Sequence, residues 1–123
     1  MRLTHSCIIT NEVKKLSEFY EKVLQIKAET SGDEYAEFPT DCGILSIFSF
    51  SLQESLAKGS SLPGSNRNLI LEFNVANVDD EYMRLEKLGV EFVKPLTTQP
   101  WGNRSFYFQD PDGNMLNFYT KVK

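Results

Sequence analysis

Several features that define large classes of protein are absent from this 123-residue chain. Two cysteines are too few for a disulfide-stabilised scaffold. No apolar run is long enough to cross a bilayer. Basic residues number 13 against 17 acidic ones, which gives a net charge of −4, and they are dispersed rather than gathered into a basic face. The sequence therefore predicts a globular protein that has neither a nucleic acid nor a membrane as its partner.

Signals for export and common catalytic motifs are also missing. The first residues contain no long apolar core and no signal-cleavage site, so we expect a cytoplasmic protein. The chain has no glycine-rich phosphate loop, no Cys-x-x-Cys pair and no serine-nucleophile motif. Cys7 and Cys42 both lie within apolar runs, so we expect buried, reduced thiols rather than reactive ones.

The two halves of the chain repeat one order of predicted elements. Each half has a strand, then an amphipathic helix, then three short strands. The first helix is predicted to begin after Asn11 as its N-cap, and the second to run between Asn77 and Gly89. The predicted strands lie at residues 3–9, 26–29, 34–38 and 44–50 in the first half, and at 69–75, 90–93, 104–109 and 115–120 in the second.

This repetition predicts an α+β fold built from two βαβββ modules that form a curved mixed sheet. We expect a single domain over residues 1–123, with module one at 1–50, a linker at 51–67 and module two at 68–123. Each small sheet can cover only one of its faces with its own helix. The other face must be covered by the second module or by a second subunit, so we expect a homodimer and a ligand groove between the sheets.

Three stretches of the sequence resemble one known superfamily. They are His5 with the helix around residues 19–24, the segment 75–90, and the segment 100–114 with its Asp-Pro-Asp-Gly turn. Together they resemble the vicinal oxygen chelate superfamily, which includes glyoxalase I, extradiol dioxygenases, fosfomycin-resistance proteins and bleomycin-resistance proteins. The last stretch is most similar to the bleomycin-resistance branch. That resemblance implies antibiotic resistance by sequestration, in which a dimer holds an amphiphilic, cationic molecule without changing it.

The resemblance also implies where a metal ion would be bound in the enzymes of this superfamily. Their ligands are a residue, often His, on the first strand of each half and a carboxylate on the last strand. His5 matches the first position, whereas Ile70 occupies its counterpart and Asn117 replaces the expected Glu. The last strand of the first half has no carboxylate. We therefore expect no metal, no other cofactor and no catalytic residues.

Aromatic and polar side chains near the expected groove are the candidate ligand-binding residues. Flat rings with a few polar groups suit a planar or cationic ligand through stacking and cation–π contacts. Trp101 is either a ligand platform or a packing residue at a subunit contact, and Arg104 is either an ion-pair partner of Asp110 or a contact to ligand oxygens. The candidates are His5, Phe48, Phe50, Glu72, Asn74, Trp101, Arg104, Tyr107, Asn117 and Tyr119.

Two other functions remain open from the sequence. One is a metal-dependent lyase or isomerase, or a dioxygenase-like enzyme, with a divalent metal held by His5 and Glu72. The other is a regulatory or partner-docking domain that uses the linker at residues 51–67 as its contact.

Overall fold

The computed structural model describes residues 1–122 and divides the chain into two compact units, Met1–Ser65 and a second unit that begins at Asn66. The first unit contains β1 (His5–Thr10), α1 (Val13–Leu24), β2 (Glu29–Ser31), β3 (Tyr35–Pro39), β4 (Ile44–Ser49) and α2 (Phe50–Leu56). The second contains β5 (Ile70–Asn74), α3 (Val78–Leu88), β6 (Glu91–Thr98), β7 (Asn103–Gln109) and β8 (Met115–Lys121). The predicted α+β class and the repeated βαβββ order are confirmed. In the part of the chain described, no helix is both long enough and apolar enough to cross a membrane.

The first unit is a four-stranded mixed sheet with one face packed on α1. Its strand order is β1-β4-β3-β2, with β1 parallel to β4 and the other pairs antiparallel. Helix α1 places an apolar stripe on this sheet because its apolar residues recur every three or four positions. The buried residues between helix and sheet are Leu16, Tyr20 and Val23 from α1 and Ala36, Phe38, Leu45 and Ile47 from the strands.

The second unit repeats this arrangement with the order β5-β8-β7-β6. Asn77 accepts a hydrogen bond from the Asp80 N–H and caps α3, as predicted, and Gly89 ends the helix in the left-handed region with φ of 76°. Asp110 shapes the turn before β8 by accepting from the Asp112 and Asn114 backbone N–H groups. The core of this unit is formed by Val78, Leu85, Phe106, Phe108, Leu116 and Phe118.

Several predicted element boundaries are wrong for local reasons. The N-cap of α1 is Glu12 rather than Asn11, and Thr10 Oγ1 accepts a hydrogen bond from the Glu12 N–H. Strand β4 ends at Ser49, because the Ser49 side chain accepts from the Leu52 N–H and so starts α2 at Phe50. Helix α2 therefore occupies the start of the segment that was predicted as a linker.

The prediction of buried thiols is also wrong, because both cysteines are exposed. Cys7 pairs with Ser46 across β1 and β4, on the side of the sheet that α1 does not cover. Cys42 lies in the tight turn between Thr40 and Gly43, where the Thr40 N–H donates to the Gly43 carbonyl. Cys7 therefore lies outside the core because side chains alternate between the two faces of a strand. Cys42 lies outside it because the chain reverses direction at an exposed turn.

Candidate functional site

Each unit has one sheet face that its helix does not cover, here called its helix-free face. Strand register assigns residues to these faces, since directly paired residues point to the same side of a sheet. The helix-free face of the first unit carries His5, Cys7, Tyr35, Glu37, Ser46 and Phe48. That of the second unit carries Ile70, Glu72, Asn74, Tyr107, Asn117 and Tyr119.

A chain of polar contacts crosses the helix-free face of the first unit. His5 Nε2 lies 3.4 Å from Glu37 Oε1, and the Tyr35 hydroxyl donates to the same oxygen at 2.7 Å. The other imidazole nitrogen, Nδ1, is 2.9 Å from Thr4 Oγ1. The carboxylate on β3 therefore orients both an exposed imidazole and a phenol.

Burial raises the pKa of Tyr35 above its ordinary value, and the hydrogen bond to Glu37 raises it further. A hydrogen bond with Ser46 opposes this shift, and the negative charges of Glu37 and Cys7 add to it. Tyr35 consequently remains a neutral hydrogen-bond donor throughout the physiological pH range.

Sequence reasoning missed Glu37 and Tyr35 because it searched the first and last strands of each half for polar ligands. Strand β3 contributes them because Tyr35 and Glu37 alternate with the buried Ala36 and Phe38. That alternation was visible in the sequence. The proximity of Glu37 to His5 was not visible in the sequence, because it depends on the pairing of both β1 and β3 with β4.

The helix-free face of the second unit holds a fixed carboxylate. Asn117 Nδ2 donates to Glu72 Oε1 at 2.8 Å, across the parallel strands β5 and β8. Asn117 is 4% exposed, whereas Glu72 is exposed. Within residues 1–122, Glu72 forms no ion pair and Asn117 Oδ1 is a buried acceptor with no hydrogen-bond donor.

The other polar and aromatic candidates of this face surround that carboxylate in register. Tyr107 pairs with Asn117 across β7 and β8, and Tyr119 pairs with Asn74 across β8 and β5. Asn74 Nδ2 donates to the Tyr119 carbonyl at 3.3 Å. Five of the sequence candidates, Glu72, Asn74, Tyr107, Asn117 and Tyr119, therefore share one face.

The remaining sequence candidates are placed elsewhere. Phe48 lies with His5 on the first unit's helix-free face, edge-on to the Tyr35 ring at a centroid distance of 6.0 Å. Phe50 is the first residue of α2 and lines a cavity of about 200 Å³ beside Thr10 and Asp33, away from that face. Trp101 is 71% exposed in the turn between β6 and β7.

Arg104 lies on the helix side of the second sheet. Its Nε is 2.8 Å from Asp79 Oδ1 of α3, and the hydrogen bond to Asp79 raises the already high pKa of the guanidinium. The expected ion-pair partner, Asp110, instead accepts hydrogen bonds within the turn before β8. Arg104 therefore joins a strand to a helix, and Asp79 is its partner.

The donors present do not match the metal-ligand set that the superfamily resemblance implies. Ile70 next to Met115 occupies the position in the second unit that His5 next to Ile44 occupies in the first. Among the described residues, no group of three His, Cys, Asp or Glu side chains is arranged to hold an ion. His5 and Glu72, the pair of the metal-dependent alternative, belong to different units. Divalent sites in proteins usually take three or four protein ligands, and residues 1–122 bring no such group together.

The chain is similar to known proteins along almost its whole length. A family model described as "Glyoxalase/Bleomycin resistance protein/Dioxygenase superfamily" matches residues 2–118. The uncharacterized protein YraH of Bacillus subtilis (strain 168) is 30% identical over 129 residues, which cover 99% of this chain and all of that protein.

Solved structures show the same fold. A protein of unknown function from Agrobacterium tumefaciens str. C58 is 28% identical, with a TM-score of 0.84 and coverage of 99% of this chain and 95% of that one. A glyoxalase/bleomycin resistance protein/dioxygenase family enzyme from Burkholderia phytofirmans PsJN has a TM-score of 0.86 at 17% identity, covering 99% of this chain and 100% of its own. The identity to the latter is so low that the likeness concerns the fold alone.

Proposed function

The chain belongs to the glyoxalase/bleomycin resistance protein/dioxygenase superfamily, and from that premise we propose that it binds a small cationic aromatic molecule without changing it chemically. The proposed contact is the helix-free face of the second unit, with Glu72 as the counter-ion. The observation that carries this proposal is the hydrogen bond from the buried Asn117 amide to the exposed Glu72 carboxylate.

That hydrogen bond prepares Glu72 to receive a cation. The Asn117 N–H occupies Oε1 and restricts the orientation of the carboxylate, so less conformational entropy is lost when a ligand binds. Oε2 accepts no hydrogen bond within residues 1–122, and no lysine or arginine there forms an ion pair with Glu72. An exposed, oriented carboxylate without a cationic partner favours a positively charged ligand group.

The neighbouring tyrosines favour an aromatic or quaternary cation over a small metal ion. Tyr107 and Tyr119 lie on the same face as Glu72 and are both half-buried. Their rings offer π-faces that attract organic cations and stack on planar groups. A divalent metal would need further charged or imidazole ligands, and among the described residues no group of three His, Cys, Asp or Glu side chains that could hold an ion includes Glu72.

The proposal can be tested by isothermal titration of the full chain with N-methylquinolinium and with quinoline, its uncharged parent at pH 7.5. We expect the cation to bind at least tenfold more tightly than quinoline. Glu72→Gln should weaken cation binding about tenfold, which corresponds to about 1.4 kcal/mol, and leave quinoline binding unchanged.

Glu86→Gln is the matched control, because Glu86 is an exposed carboxylate on α3 and its loss changes the net charge equally. This variant should retain the wild-type affinity for the cation. Equal binding of the cation and quinoline, or equal effects of the two substitutions, would contradict a specific role for Glu72. Failure of the wild-type protein to bind either compound would contradict the proposed ligand class.

A further inference from the structure

A cavity of about 620 Å³ lies in the first unit between α1 and the strands β2 and β3. Val13, Ser17 and Glu21 line it from the helix, and Ala28, Thr30 and Ala36 line it from the facing chain. One boundary is held by a 2.9 Å hydrogen bond from the Ala28 N–H to Glu21 Oε2. Its volume falls within the range of small-molecule sites in proteins. The cavity is formed by residues of the first unit, whereas the proposed cation contact is formed by residues of the second.

The second unit shows which side chains occupy the corresponding positions of the repeated fold. Ser17 is the fifth residue of α1, and Tyr82 is the fifth residue of α3. Ala36 pairs with Ile47 of the central strand β4, and Phe106 pairs with Phe118 of the corresponding strand β8. A serine and an alanine of the first unit thus correspond to a tyrosine and a phenylalanine of the second.

In the second unit these rings form an aromatic cluster between helix and sheet. The Tyr82 centroid is 5.1 Å from that of Phe106 and 4.8 Å from that of Phe92, and the two phenylalanines are 5.7 Å apart. Such distances are typical of edge-to-face and offset ring packing. The scaffold therefore accepts aromatic rings between its helix and sheet, and the first unit leaves the equivalent space open.

Ser17 adds a polar group to this open space. Its residue is 8% exposed, and its Oγ is buried with no hydrogen-bond partner among the described residues. A helical serine commonly bonds to a carbonyl one turn earlier, and a buried hydroxyl without a partner is unfavourable. Because Ser17 also lines the cavity, a bound molecule that reaches this hydroxyl can supply its missing hydrogen-bond partner.

Charged side chains at the cavity give no strong preference for either sign. Lys14 and Glu18 are 4.0 Å apart and partly neutralise each other, and Lys27 and Asp33 add one charge of each sign. Glu21 leaves one negative charge in excess, but its Oε2 already accepts the Ala28 N–H. This environment disfavours an anion and accommodates a ligand without net charge.

We propose that this cavity binds a neutral aromatic molecule that carries a hydroxyl or carbonyl group. Its ring occupies the space that Tyr82 fills in the second unit, and its polar group exchanges a hydrogen bond with Ser17 Oγ. This inference is independent of the proposed function, because it concerns another unit, another sheet face and another ligand charge.

The test compares 2-naphthol with naphthalene, which share a ring system and differ by one hydroxyl, in ligand-observed NMR titrations of the full chain. We expect 2-naphthol to bind at least fivefold more tightly. Ser17→Ala should remove that difference while leaving naphthalene affinity unchanged. Because the substitution deletes an unpaired hydroxyl from a helix, the melting temperature of the ligand-free protein should stay the same or rise.

Two further variants complete the experiment. Ser17→Tyr reproduces the residue of the second unit and should abolish binding of both compounds by filling the cavity. Ser55→Ala, at an exposed position of α2, should bind both as the wild-type protein does. The proposal would be overturned if neither compound bound the wild-type chain, or if the Ser17→Ala variant kept the preference for 2-naphthol. Should Ser17→Tyr not fold, the Ser17→Ala result decides alone.

Discussion

Asn117 on β8 holds the Glu72 carboxylate on β5 through a 2.8 Å hydrogen bond between neighbouring parallel strands. The two residues face each other directly in the strand register, and the donor is buried while the acceptor is exposed. A buried, well-packed amide is a rigid support for a surface carboxylate. At the proposed cation site, this amide would position the carboxylate without contacting the ligand's charge.

Asn117→Ala tests that positioning effect. The variant should bind N-methylquinolinium about threefold to tenfold more weakly, because Glu72 loses its fixed orientation. The free energy of unfolding should fall by about 1 kcal/mol, since the substitution removes one hydrogen bond and also one unpaired acceptor. Isothermal titration and urea denaturation measure the two effects. Asn68→Ala, at an exposed loop position, is the control and should change neither. A full wild-type affinity in Asn117→Ala would show that orientation by the amide is unimportant.

Tyr35 should give the protein a specific sensitivity to alkaline pH. The pKa of its phenol is raised in the folded chain, first by burial and then by the hydrogen bond to Glu37. A raised pKa means that the stabilising contribution is complete below the unfolded value of about 10 and is lost as the pH rises through the folded value. The free energy of unfolding should therefore decrease as the pH rises from about 10 through the raised pKa of Tyr35.

Tyr35→Phe lacks this titrating group and should lose less stability over the same pH interval. Urea denaturation at a series of pH values measures the effect, and the ultraviolet absorbance of tyrosinate reports the titration directly. The difference spectrum between the wild-type protein and Tyr35→Phe should show a phenol that ionises at a higher pH than free tyrosine does. If the phenol of Tyr35 ionised at or below about pH 10, the expectation of a raised pKa would be wrong.

Asp110 should be among the most sensitive polar positions of the second unit. Its carboxylate is 5% exposed and accepts hydrogen bonds from the Asp112 and Asn114 N–H groups and from Asn114 Nδ2, all at 2.8–2.9 Å. Asp110→Ala leaves these donors without their acceptor and should lower the free energy of unfolding by about 2–3 kcal/mol. Thermal and urea denaturation provide the measurement.

Asp112→Ala is the matched control for this substitution. Asp112 lies in the same turn and contributes a backbone donor, which alanine retains. Its replacement should cost well under 1 kcal/mol. Similar losses in both variants would mean that the turn depends on total charge rather than on the hydrogen bonds of Asp110.

Local periodicity was sufficient to predict the repeated element order, the caps at Asn77 and Gly89, and the alternation along β5. These features depend on neighbouring residues, whose spacing is printed in the sequence. The same approach failed at Asn11 and at the two cysteines. Thr10 sets the start of α1 by accepting from the Glu12 N–H, and the turn at 40–43 exposes Cys42. Cys7 is exposed because its position in the register puts it on the sheet face that α1 does not cover. Apolar patterning does not encode these contacts.

The candidate site was predictable only where one strand sufficed to define it. Glu72 and Asn74 were correctly expected to share a face, because residues two apart on a strand always do. The partner of His5 was not predicted, since Glu37 on β3 approaches His5 on β1 across the intervening strand β4. Arg104 likewise could not be assigned to Asp79 without the packing of α3 on the sheet.

The amino-acid sequence by itself determined the repeated βαβββ order and the apolar side of α1, α3 and β5, because periodicity and capping act over a few residues. Only the tertiary structure decided that a carboxylate of β3 meets His5, and that Ser17 and Ala36 line one cavity whereas the second unit packs Tyr82 against Phe106. Those relationships depend on strand register and on where a helix rests on its sheet. Both are set by packing between residues distant in the chain, which no local pattern specifies.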